Sequence, residues 1–212
     1  MALAPLNPNQ PTIPPWKVSN LHILNPFESF NKSDTADIIY QQIFKEHRHQ
    51  YRRFVPVYTD ESKSADQVSL AVVFQNTVSS FRLSPACSIF TAEITAVLHA
   101  LERISKSVQR GFIIYSDSLS VLNSLKSFHD HKHPLVFKIL DLFEKLTFQG
   151  FTILFSWIPS HVGIDGNEEA DMAAKSASLS TVSTIPVNDL KKYIKQLLFF
   201  QMAGTMDFRH WK

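Results

Sequence analysis

Three β-rich runs, FVPVYTD, VSLAVVFQ and TVSSFRL, follow one another with only short polar breaks between them. Breaks that short can join only antiparallel neighbours, because a parallel pair needs a crossover of a dozen residues or more. Two further runs, GFIIYSD and GFTILFSWI, are reached only through stretches of helical period. Ile89, Phe90, Ile94, Val97, Leu98, Leu101 and Ile104 recur at helical spacing, as do Val136, Ile139, Leu140, Phe143 and Leu146. SLSVLNSLKSF and a stretch from about Asn167 to Ala177 read as two more helices. The order β-β-β-α-β-α-α-β-α is an α/β architecture: a mixed five-stranded sheet, its three antiparallel strands first, flanked by helices.

The flanks differ in texture. Residues 1–53 read as a proline-containing arm and linker, with a short helix over Ala36–Glu46 and a basic KEHRHQYRRF stretch expected as a solvated linker. Residues 54–178 form the folded domain, and 179–212 a linker followed by an amphipathic helix, DLKKYIKQLLFFQM. Its Phe199 and Phe200 are expected to pack on the core or on a partner. The apolar runs are too short to span a bilayer, the start lacks a signal-peptide pattern, and Cys87 is the one cysteine. An intracellular chain, cytoplasmic or nuclear, is expected, with no membrane contact and no secretion.

The net charge of +2 conceals an acidic middle. Residues 54–178 hold ten Lys/Arg and thirteen Asp/Glu, or 10 − 13 = −3. A simple phosphate-gripping module is basic on its contact face, so the middle suits carboxylates that hold cations. Asp60 is expected at the end of the first strand and Asp117 at the end of the fourth. Glu93 falls within the apolar stripe of the first long helix, and Asp171 lies four residues into the last helix of the domain. Carboxylates gathered at strand ends repel one another until cations arrive, and oxygen-only ligands select hard ions such as Mg²⁺.

VYTDES, FTAEITAVLHAL, IIYSDSLSVLNSL and WIPSHVGIDGNEEADMAAKSA resemble, in this order, the four active-site motifs of type 1 ribonuclease H. The form resembled is the domain accompanying the reverse transcriptase of non-LTR retrotransposons, over roughly Val55 to Ala177. The resemblance implies a ribonuclease H-like fold and a metal-dependent endonuclease that hydrolyses the RNA strand of RNA–DNA hybrids, leaving a 3′-hydroxyl and a 5′-phosphate. It implies Asp60, Glu93, Asp117 and Asp171 as ligands of two Mg²⁺ ions, with Mn²⁺ as a substitute. Asp60 would bridge the ions, Asp171 serve the water-activating one, and Glu93 and Asp117 the leaving-group one. His161 would assist proton transfer and product departure. Asn167, Ser118 and Ser62 are the implied substrate contacts, Asn167 being equally readable as a helix cap. A reverse-transcriptase domain outside this chain is the implied partner.

Three positions depart from the family pattern. Glu61 stands where relatives usually carry glycine, while Phe90 and Leu119 replace polar residues near the hybrid; periodicity reads both as core. A non-enzymatic retroelement remnant, keeping the fold for binding or interaction, is the alternative. His129, His131 and His133 alternate in HDHKHP and read as a surface loop rather than a metal site.

Overall fold

The computed structural model describes residues 21–75, 77–126, 133–181 and 185–205. The strands are β1 (Ile23–Leu24), β2 (Val55–Lys63), β3 (Val68–Phe74), β4 (Thr77–Leu83), β5 (Gly111–Ser116) and β6 (Thr152–Trp157). The helices are α1 (Asp37–Gln50), α2 (Ile89–Ile104), α3 (Leu119–Lys126), α4 (Pro134–Phe148), α5 (Asp165–Lys175) and α6 (Val187–Thr205). The sheet order is β1-β6-β5-β2-β3-β4. As expected, β2, β3 and β4 form an antiparallel meander; β5 pairs in parallel with β2, and β6 in parallel with β5.

The expected five strands are joined by a sixth. Ile23 and Leu24 pair in parallel with Phe155 and Ser156. Two residues are too few to leave an alternating pattern in sequence. Strand β2 also runs past Asp60 to Lys63, so Asp60 lies inside a strand rather than at its end. Its pairing with β5, however, stops at Thr59↔Ser116. Asp60 therefore sits where the parallel pair opens, with Asp117 close behind the end of β5.

Side chains on the strands alternate between two cores. Val57, Leu70, Val72, Phe112 and Ile114 join Ile94, Leu101, Leu122 and Ile139 in the larger one, beneath α2, α3 and α4. Ile113 and Tyr115 face the other side, with Phe27, Tyr40, Ile158, Val162 and Ile164. β5 is buried on both faces, which explains its unbroken apolar run.

The segment expected as arm and linker is largely part of the fold. Helix α1 extends through the basic stretch and buries Tyr40 and His47. The His47 ring lies 3.3 Å (Nε2) from Ser156 Oγ and packs on Tyr51 and Tyr115. Arg48 donates to the carbonyls of Tyr51 and Phe54, leaving Lys45, His49, Arg52 and Arg53 exposed at the end of the sheet remote from the acids. The proline-rich start lies outside the described residues.

At the other terminus, the linker runs beside β4: Arg82 N–H donates to Leu179 O at 2.7 Å and Thr181 N–H to Arg82 O at 3.0 Å. Helix α6 is longer than expected and does not bury its apolar face, since Leu190, Ile194, Leu197, Leu198 and Phe199 are exposed. It is anchored by a polar contact instead. Buried Asp189 accepts from Ser88 N–H at 2.7 Å and from Thr91 Oγ1 at 2.6 Å, at the N-terminus of α2. His133 lies at the end of the α3–α4 connection, where it caps α4 and reaches Thr91 Oγ1 at 3.1 Å, and is half-buried rather than on the surface; His129 and His131 lie outside the described residues.

Candidate active site

Alternation along β2 sorts its acids. Val57 faces the core under α2, whereas Tyr58 faces the second core. By the same two-residue period, Asp60 projects to the side of α5 and Glu61 to the side of α2, and β2 packs against both helices. Asp60 is buried, and its Oδ1 accepts from Glu61 N–H at 2.8 Å. Burial above all, then the Asp117 carboxylate, pushes the Asp60 carboxyl up to about 8, with Asp171 and Glu61 adding to the push and the Glu61 amide opposing it.

Glu93 projects from α2, whose N-terminus is capped by the Ser88 side chain. Its Oε2 accepts from Ser118 Oγ at 2.5 Å. Burial raises its carboxyl, the Ser118 hydroxyl opposes that, and Asp117 reinforces it. The hydroxyl of Ser118, expected at the substrate, thus orients an acid. Asp117 is raised chiefly by burial; its own backbone amide, the electrostatic pull of the His161 ring and the neighbouring Asn167 amide oppose the rise, and Asp171 adds to it. The Trp157 indole N–H donates to the Asp117 carbonyl at 3.0 Å, tying the end of β6 to the turn after β5.

Asp171 lies on the inner side of α5, paired with Lys175 Nζ at 2.7 Å. His161 is exposed and adopts φ = +52°, a left-handed backbone that side chains other than glycine rarely take. Its neighbour Gly163 also has positive φ, at +77°. Ligand atoms of His161, Glu168 and Asp171 lie within 4.8 Å of one another, the tightest such group among the described residues. Asp171 thus leans toward the loop histidine and Lys175 and also acts on Asp60 and Asp117, while Asp117 acts on both Asp60 and Glu93 without the acids closing into so tight a cage. Like charges hold such carboxylates apart until a cation draws them together.

Glu168 was not among the expected site residues, although it lies one helical turn before Asp171 in the same motif. Its Oε1 accepts from Gly163 N–H at 3.2 Å and so braces the histidine loop. Asn167 is not a cap: α5 begins at Asp165 with Ile164 at the N-cap. Only 1% of Asn167 is exposed, yet neither its Oδ1 nor its Nδ2 closes a hydrogen bond of normal length. Ser62 is half-buried, and its carbonyl accepts from Ser69 Oγ at 3.3 Å; no hydrogen bond joins its hydroxyl to the acids. Leu119 is exposed rather than core, and Phe90 packs edge-on against His133.

The donor set fits a hard divalent cation. It consists of carboxylates, with a further buried oxygen, Glu61 Oε2, that has no partner in the protein. A mixed sheet whose parallel pair opens onto acids, with an acidic helix on each face, defines a ribonuclease H-like α/β protein. Residues 52–179 match the family model for RNase H. That span exceeds half of the chain, and the chain belongs to the RNase H family. No helix among the described residues is long and apolar enough to cross a membrane.

Proposed function

We propose that this chain is a two-metal endonuclease that cuts the RNA strand of RNA–DNA hybrids, of the type that works beside a reverse transcriptase within the cell. One observation carries the reading: buried Asp60 and Asp171, Asp117 just past β5 and Glu93 on α2 come from separate segments of the chain and act on one another's ionisation where the parallel pair opens. A protein keeps so unfavourable a group where a ligand repays it. Two bound Mg²⁺ ions, or Mn²⁺ in their place, would supply Lewis acidity at the attacking and leaving oxygens of the phosphodiester.

The chain's own residues divide the remaining work. Asp60, on the strand between the two helices, would be the acid shared by both ions. Asp171 would hold one ion, and Glu93 with Asp117 the other. Ser118 fixes the Glu93 carboxylate. His161, in a loop braced by Glu168, carries a proton at its imidazole nitrogen near the leaving group or water. Asn167 offers its amide to a non-bridging phosphate oxygen. Ribose 2′-hydroxyls mark the RNA strand for cleavage.

A labelled hybrid incubated with Mg²⁺ or Mn²⁺ tests the reading. Cleavage with 5′-phosphate ends is expected, and Asp60→Asn or Asp117→Asn should reduce it by at least about 10²–10³-fold, as when a preorganised electrostatic group is removed. Wild-type rates in either variant would overturn these roles. Binding of the hybrid without cutting would favour a non-enzymatic module.

A further inference from the structure

We infer that Glu61 is a fifth carboxylate ligand of the metal centre, acting with Glu93 on the α2 side of the sheet; the inference rests on the two-metal reading above. Alternation along β2 sends Glu61 away from Asp60 and toward the helix that carries Glu93. Its backbone is fixed by the bond from its own N–H to Asp60 Oδ1. Its side-chain Oε2 is shielded from solvent and accepts no hydrogen bond. A carboxylate oxygen in that state is unfavourable unless a cation meets it.

Lys63 Nζ donates to the Cys87 carbonyl at 2.9 Å, and Ser118 Oγ to Glu93. A divalent ion held by Glu93 and Asp117 would satisfy the orphaned oxygen. Buried Asn167, whose amide acts on Asp117 from the α5 side but closes no well-formed hydrogen bond, is a second under-satisfied polar group beside the acids. Glycine at position 61 would leave the metal centre one carboxylate poorer.

An added carboxylate has a chemical consequence. Mg²⁺ dehydrates reluctantly and is usually served by one or two carboxylates, whereas Ca²⁺ accepts more oxygen ligands in looser geometry, and Mn²⁺ also favours oxygen donors. Glu61 therefore raises affinity for divalent ions before nucleic acid arrives, and raises it more for Mn²⁺ and Ca²⁺ than for Mg²⁺.

Calorimetric titration of Mn²⁺, Ca²⁺ and Mg²⁺ into the metal-stripped full chain, without hybrid, tests this. Glu61→Gln keeps the side chain's shape, Glu61→Gly supplies the smaller residue, and Glu93→Gln serves as reference; a melting curve checks that each is folded. Both Glu61 variants should weaken Mn²⁺ binding by about 10–100-fold, with a smaller loss for Mg²⁺. Equal Mn²⁺ affinity in wild type and both Glu61 variants, with Glu93→Gln weakened, would overturn the role of Glu61 alone. A wild-type chain that binds none of the three ions would overturn the two-metal reading and this inference with it.

Discussion

Asp60 and His47 are displaced from ordinary ionisation in opposite senses. Burial holds the Asp60 carboxyl at about 8 and the His47 ring at about 4. The folded chain thus binds a proton on Asp60 more tightly than the unfolded chain does. That contribution is complete below about pH 4 and is lost as pH rises toward 8. Glu61, raised to about 7, acts in the same direction over a narrower window. His47 works the other way: its contribution is complete above about pH 6.5 and is lost as pH falls toward 4. The slopes of Asp60 and His47 oppose each other between about pH 4 and 6.5, and the acids dominate above that. We expect the melting temperature of metal-free protein to fall between pH 6.5 and 8, the fall to shrink in Asp60→Asn, and Mg²⁺ to restore stability at pH 8. At the same scale, His161→Ala should slow cleavage by about 10²-fold while hybrid binding persists, a split that rate and affinity measurements would show. The acids of this site are legible in sequence because each sits in a distinctive motif. Glu168 and the Ser118–Glu93 bond are not, since they depend on how the loop after β6 and the turn after β5 approach their neighbours.

The positions of the acids depend on how closely the elements meet. A Cβ at Gly166 would lie 2.3 Å from Cε2 of Tyr58, whose ring stacks on Tyr115 at 5.2 Å. That ring has little room to yield, so Gly166→Ala should push α5 outward, destabilise the fold by about 1–3 kcal/mol and reduce cleavage through displaced Asp171. A melting curve with a cleavage assay checks both effects. The repeating elements were legible for a related reason. β5 is apolar because both its faces are covered, and α2 shows helical spacing because one side lies on the sheet. α1 was foreseen only in part, because its buried side includes a histidine that reads as polar in sequence. β1 left no trace, because its pairing uses backbone atoms of two residues.

For the molecule as a whole, the sheet packs together with the described residues that precede it, β1 and α1. Phe27 and Tyr40 are each 1% exposed, so Phe27→Ala should lower stability by about 3–5 kcal/mol, measured by denaturant unfolding, although it lies outside the family match. The flanks also cover part of each outer rim of the sheet. Ile23 and Leu24 lie along β6, and residues 179–181 run beside β4. Trimming the chain to residues 54–178 would bare a row of amides and carbonyls on each rim, ready to template a strand from another molecule. Such a fragment should associate as its concentration rises, visible as growing light scattering, while the longer chain stays dispersed. Residues 23–24 and 179–181 thus shield stretches of strand edge from other molecules as well as extending the sheet.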